Sequence, residues 1–238
     1  MNEELNSAIE VFVQAIAKSK SQYGPYFCRR LGEMWVLHDD PTRKDPRKTE
    51  VVTTGKDSDA VVEEIRKADL GWHFLCDIQP NDFDFEARRS EYKALGYRAM
   101  SKEWMFVHDL VKLPEFDSSP AVRMVTSQAE ANGIPQIAKH KLKLQSGSRD
   151  FWIWDERRDY GAVRSIDIGD SCWVQGLHVH RDVRRRGYGK ALMSALLQSD
   201  ASLGRQRSVL LASTAGSKLY PLVGYRQIGV LQMFCPVR

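Results

Sequence analysis

From Leu177 to Lys190 one unbroken run of sequence combines the parts of an anion-binding site. It reads Leu177-His178-Val179-His180-Arg181-Asp182-Val183 and continues as Arg184-Arg185-Arg186-Gly187-Tyr188-Gly189-Lys190. An apolar strand feeds a turn with two glycines, and an amphipathic helix follows at once. Glycines let the backbone approach a ligand without Cβ atoms in the way. Free N–H groups at a helix start, together with the positive end of its dipole, attract an anion. Three arginines beside that end strengthen the attraction. The plain alternative is a solvated basic face with two turn glycines. Two known phosphate loops are excluded: the spacing is not G-x-G-x-x-G with an acidic residue at the required offset, and Gly-Lys-Ser/Thr is absent.

The elements that must position this loop follow from periodicity. Tyr188, Ala191, Leu192, Ala195 and Leu196 form one stripe, predicting a helix over 187–199. Before the loop, 151–180 reads as three strand-like segments, with breaks expected at Asp159-Tyr160-Gly161 and Gly169-Asp170. A strand over 122–125 and a helix over 127–141, interrupted near Gly133 and Pro135, precede them. After the loop come a buried strand, Val209 to Ala212, a short helix and a final strand. The first half shows a helix over 3–19, with Leu5, Ile9, Phe12 and Ile16 at helical spacing, strands at 33–38 and 49–54, and a helix for which Asp57, Ser58 and Asp59 offer caps. A strand at 72–76, a helix over 84–95 and a strand over 98–110 complete it. Leu113 to Pro120, with proline at both ends, is the linker candidate. The expected organisation is 1–111, a linker at 112–120, and 121–238.

The loop resembles the acetyl-CoA signature of the GNAT N-acetyltransferase superfamily, Q/R-x-x-G-x-G/A, in Arg184-x-x-Gly187-x-Gly189. Leu177-x-Val179 is similar to the family's preceding strand, with Arg181 where a proline is common. Leu219-Tyr220-x-x-x-Gly224-Tyr225 resembles the second signature, a helix carrying tyrosine followed by Gly-Phe/Tyr. The asparagine frequent before it would fall near Ser213. The resemblance covers roughly 120–238 and implies a mixed central sheet flanked by helices, an α/β (α+β) fold.

The resemblance also implies roles. Leu177, His178 and Val179 lie along the pantetheine arm, with main-chain groups of Leu177 and Val179 pairing with it. Arg184, Arg185, Arg186, Gly187, Tyr188, Gly189 and Lys190 hold the pyrophosphate, and Tyr220 sits near the cofactor sulfur. Acetyl transfer to an amine needs an uncharged nucleophile, a polarised carbonyl and a proton for the departing thiolate. A tyrosine hydroxyl, with an ordinary pKa of about 10, is protonated at neutral pH and can supply that proton. The main-chain N–H of Val179 is the implied oxyanion donor. A carboxylate base common on this strand is missing from Ser171 to Leu177. Alternation points His178 and His180 away from the Leu177/Val179 face, and Asp155, Glu156 and Asp159 remain loose candidates. A water relay and direct attack without a dedicated base are equally open. Trp152 and Trp154 alternate with Phe151 and Ile153, a core pattern that could also line an acceptor pocket.

Tyr92 to Arg98 parallels Tyr220 to Arg226, sharing Tyr, Leu/Val-Gly-Tyr-Arg spacing after a strand and a helix. The first half is therefore expected to be a reduced copy of the second, giving a tandem of two units. Its Thr54-Gly55-Lys56-Asp57-Ser58-Asp59 stands where the loop would be, and the aspartates repel a pyrophosphate. One acetyl-CoA per chain is expected, with Tyr92 a packing residue.

Composition sets the outer bounds. The chain has 238 residues, 42% hydrophobic and 28% charged, enough for a core without staples. A net charge of +4 is too mild to mark a nucleic-acid protein. Cys28, Cys76, Cys172 and Cys235 are scattered without metal or redox spacing, so no metal is expected. No signal-peptide layout or membrane-length apolar run is seen, and a cytoplasmic location is expected. The acceptor is expected to be a small-molecule, peptide or protein amine, with monomer and homodimer both open. A non-catalytic acyl-CoA sensor and a nucleic-acid binder are the rival functions.

Overall fold

The computed structural model describes residues 3–115, 120–135 and 143–237. Residues 116–119 of the linker candidate and 136–141 of the helix expected over 127–141 lie outside these. The chain forms two compact units that do not follow the two sequence halves. The first takes residues up to 105, then 212–214 and those from 227 on; the second takes 106–211 and 215–226.

In the first unit, α1 (Glu3–Lys20) turns Leu5, Ile9 and Phe12 of the apolar stripe read from the sequence inward, together with Ala8, while Ile16 is half-buried. Strands β1 (Tyr26–Leu31), β2 (Met34–Asp39) and β3 (Thr49–Thr53) are antiparallel neighbours. The strand β1 has no counterpart in the sequence reading, because Arg29 and Arg30 interrupt its apolar pattern. It is an edge strand, where charged residues are tolerated. Next come α2 (Ser58–Lys67), β4 (His73–Pro80), α3 (Phe85–Ala94) and β5 (Tyr97–His108), of which the residues up to 105 belong to this unit. Strands β3 and β4 are parallel and stay in register from Thr49/His73 to Thr53/Asp77, the last residue of β3. The C-terminal strand β11 (Arg226–Pro236) is the antiparallel partner of β4, from Gly229/Pro80 to Phe234/Leu75. Tyr92 is fully buried, its ring 4.6 Å from that of Phe234. Val36, Val51, Val61, Ile65 and Leu75 complete this core.

In the second unit the strand order is β10-β9-β8-β7-β6, with β6 Arg123–Val125, β7 Ser148–Trp154, β8 Asp159–Ile168, β9 Ser171–Val179 and β10 Arg207–Ala212. Neighbours are antiparallel except β9 and β10, which are parallel. Helix α4 (Gln128–Gly133) is capped by Ser127, and α5 (Tyr188–Ser202) packs on β7, β8 and β9. The break expected at 159–161 falls one turn earlier, at 155–158, and Gly161 is inside β8. A Cβ there would lie 2.6 Å from the carbonyl oxygen of His178 and 3.3 Å from Leu192. The glycine thus marks close packing within the strand, which a sequence pattern reads as a turn.

A charge network ties this unit together beneath α5. Arg149 Nη2 lies 2.7 Å from Asp167 Oδ1 and 2.8 Å from Asp200 Oδ1, and Ser165 Oγ donates to Asp200 at 2.9 Å. Burial pushes the Asp200 carboxyl up despite Arg149. Burial also acts on Asp167, but Arg149 and Arg205 outweigh it and hold that carboxyl down. Among the described residues no helix is long and apolar enough to cross a membrane.

Candidate functional site

The site starts where β9 stops sharing a ladder with β10. Their register runs from Ser171/Arg207 to Val174/Leu210, yet β9 continues to Val179. Just past the last pair, β9 bulges: Ala162 faces His178 and Arg164 faces Gln175, so Gly176 and Leu177 together stand opposite Val163. Gly176, with φ +69°, supplies the left-handed backbone that such a bulge takes. The bulge resets the alternation, placing Gln175, His178 and His180 on one face and Val179 on the other. Strict alternation from the sequence would have put Gln175 with Val179. On the side of β10, the edge of β9 from Gly176 to Val179 therefore lies past the last pair of the parallel ladder, as a strand edge able to pair with an extended ligand.

The loop follows a 3-10 turn, Arg181–Val183, in which Asp182 is engaged by Arg158. Arg184 turns back, its Nε donating to the Val179 carbonyl at 2.9 Å. Arg185 has φ +63° and Gly187 φ +84°, so two left-handed residues flank Arg186. Left-handed backbone at a non-glycine residue costs roughly 1–2 kcal/mol, and alternating hands turn successive N–H groups to one side as an anion-binding concavity. Gly187 is the N-cap of α5 and brings no side chain to it, and the first turn holds no acidic residue. The helix start therefore has no side-chain cap from Gly187, and the positive end of its dipole lies beside the loop. Arg184, Arg185 and Arg186 are exposed around it, with Tyr188, Gly189 and Lys190 half-buried.

Gly189 links this loop to the second motif. A Cβ at Gly189 would lie 3.1 Å from Leu219 Cδ2 and 3.9 Å from Val179 Cγ2. Leu219 leads directly into the 3-10 turn Tyr220–Val223, a tighter element than the helix expected for that tyrosine, with Pro221 at its start. Tyr220 is 6% exposed, its ring 5.8 Å from Phe106 and 5.6 Å from Tyr225. Burial pushes its hydroxyl up to about 12. Gly224 closes the turn with φ +89°, and the Tyr225 hydroxyl pairs with Ser208 Oγ at 2.7 Å.

The corresponding place in the first unit differs on both counts. There β3 and β4 stay paired to the end of β3. The N-terminus of α2 is capped by Asp57, whose carboxylate accepts from the Ala60 amide at 3.3 Å. An aspartate cap fills the helix start with its own negative charge.

The remaining residues singled out in the sequence fall elsewhere. Trp154, Asp155 and Glu156 line an open groove of about 780 Å³ with Arg123, Gly133, Pro135 and Arg157. None of the loop residues 184–190 lines this groove. Trp152 and Trp154 pack beside Val125, Ala131 and Ile134. Asp159, His178 and His180 come together at the end of β9, a convergence that residue spacing alone did not show.

A family model described as an acetyltransferase (GNAT) domain matches residues 147–227, the stretch that carries β7 to β10, the loop and the Tyr220 turn. No curated protein matches the chain in sequence. Among solved structures, a GCN5-related N-acetyltransferase from Kribbella flavida superposes with a TM-score of 0.67 at 16% identity, covering 97% of this chain and 95% of that one. Another, from Sphaerobacter thermophilus, gives a TM-score of 0.56 at 12% identity over 94% of this chain and 91% of its own. At such identity these likenesses show the fold. Residues 147–227 therefore match an acetyltransferase (GNAT) domain, and the chain has the mixed α/β fold of these GCN5-related N-acetyltransferases.

Proposed function

We propose that the second unit binds acetyl-CoA and transfers the acetyl group to a primary amine by direct attack. The observation that carries this reading is the uncapped start of α5, with left-handed Arg185 and Gly187, set beside the part of β9 that has left its parallel ladder. Amides from Arg185 to Lys190 and the surrounding guanidinium groups hold the pyrophosphate. Main-chain groups of Leu177 and Val179, with His178 between them, pair with the pantetheine arm. The amine nitrogen bonds to the acetyl carbon, the carbon–sulfur bond breaks, and Tyr220 Oη protonates the departing thiolate. The proton released by the amine passes to solvent, and Tyr220 is reprotonated from there. A hydroxyl pushed up to about 12 is fully protonated at neutral pH and remains a donor.

The first unit is proposed as a degenerate copy that does not take the cofactor. Gly96 and Gly224 share nearly the same φ, +88° and +89°, ahead of matching Tyr-Arg pairs. The full β3–β4 ladder and the Asp57 cap remove the two features on which the site of the second unit depends. The protein is proposed to act in the cytoplasm.

Release of free thiol from acetyl-CoA, followed over a panel of small amines, peptide N-termini and lysine peptides, tests the activity. Turnover with at least one amine, reduced about 10²-fold or more in Tyr220→Phe, is the expected result. Tight binding with no acetylation of any amine would make the protein an acyl-CoA sensor instead.

A further inference from the structure

The end of β9 carries a second group of side chains, on the face turned away from α5. His178 and His180 stand two apart on an extended segment and so project to the same side. Asp159, which opens β8, reaches between them. His180 Nε2 is 2.9 Å from Asp159 Oδ2, and His178 Nε2 is 3.8 Å from the same oxygen. All three ligand atoms lie within 4.8 Å of one another. Two ligands held tetrahedrally at ~2.1 Å from one ion are about 3.4 Å apart, so these separations bracket the required value.

The ring of His178 is already oriented for this. Its Nδ1 lies 3.3 Å from the Gly176 carbonyl, which can only accept, so the hydrogen is on Nδ1. In the neutral ring, Nε2 then presents a lone pair toward the Asp159 carboxylate oxygen, which also carries lone pairs. A cation between them relieves that opposition. The Nδ1–H to carbonyl bond is the outer-shell arrangement that fixes a metal-binding histidine. Trp152 holds the other side of the ring edge-on, at a centroid distance of 5.8 Å. The Asp159 side chain is 9% exposed, and the neighbouring Arg158 is engaged by Asp182 instead. Half-exposed His178 leaves an approach from solvent.

We propose that Asp159, His178 and His180 form a binding site for one divalent transition-metal ion of the zinc type. Two imidazoles and one carboxylate match that class and not magnesium or calcium, which prefer oxygen ligands. Three protein ligands leave a fourth position to water or another small donor. A bound ion joins the start of β8 to the end of β9, just before the loop that begins at Arg184.

The test uses the full chain, stripped with chelator and then titrated with Zn2+ by calorimetry, with Co2+ as an optical probe. One Zn2+ per chain is expected, together with the visible absorption of Co2+ in a tetrahedral site and a higher melting temperature. His178→Ala and His180→Ala each lower affinity by at least about 100-fold, the upper end of what loss of an outer-shell partner alone produces. His38→Ala, a histidine of the first unit, leaves uptake unchanged. Far-UV circular dichroism of each variant confirms folding, and Asp159→Asn supplies a further variant of near-identical shape, with affinity again reduced. Uptake below one ion per chain, or uptake that persists in the His178→Ala/His180→Ala double variant, overturns the proposal.

Discussion

Val174 and Leu210 are the last residues that β9 and β10 hold in parallel register, although β9 runs on to Val179. A strand edge left outside a ladder is where an extended ligand arm can add its own hydrogen bonds. Hydrogen exchange reads this directly. Amides from Leu177 to Val179 are expected to gain protection when acetyl-CoA is added. Those of Thr49 to Thr53, in a ladder paired to its end, are expected to be unaffected.

Gly189 and Leu219 meet so closely that a Cβ on the glycine would lie 3.1 Å from the leucine Cδ2. Gly189→Val forces Leu219, and with it the Tyr220 turn, away from α5. Overpacking of this kind costs about 1–3 kcal/mol. We expect roughly tenfold weaker acetyl-CoA binding, measured by calorimetry, at the lower end of that cost. Partial recovery is expected in Gly189→Val/Leu219→Ala, where room is restored.

Tyr220→Phe keeps the ring in its place beside Phe106 and removes the proton donor. Turnover is expected to fall by about 10²-fold or more, the usual worth of a positioned acid, with little change in affinity. The pH profile carries a further signature. Because burial raises the hydroxyl to about 12, its donor form persists as pH rises and is lost only near that value. No alkaline limb belonging to Tyr220 is therefore expected below about pH 11.

Arg149 neutralises two carboxylates, one of them on the fully buried Asp200 side chain. Arg149→Met leaves Asp200 without its cation, which typically costs about 3–5 kcal/mol and is measurable by urea unfolding at neutral pH. The deficit has a defined pH dependence. Burial raises Asp200, so on acidification its carboxyl becomes neutral early and the unpaired charge disappears. Asp167, held below the ordinary range, contributes stability above that range and loses it as pH falls through its folded value. The gap between variant and wild type is thus expected to narrow toward acid pH.

Much of the fold was legible because local signals and packing agree. The stripe of α1, the Asp57 cap of α2 and the loop-to-helix passage at Gly187 all read the same way in sequence and structure. Legibility failed where a tertiary contact decides. Gly161 looks like a turn residue, yet the His178 carbonyl requires it within β8. The bulge at Gly176 and Leu177 moves Gln175 to the face of the histidines, which no alternation rule anticipates. The meeting of Asp159 with His178 and His180 depends on strand register across 21 residues, so spacing gave no sign of it. The placement of β11 beside β4, far from it in sequence, is likewise a matter of topology.

The central claim is that the loop of the second unit, and no other part of the chain, holds acetyl-CoA. Calorimetric titration of the full chain with acetyl-CoA, repeated on Gly187→Trp, tests it most directly. The site predicts one equivalent bound by the wild type and none by the variant, whose indole stands at the helix start where open space now lies. Two equivalents per chain, or unchanged affinity in Gly187→Trp, would contradict it.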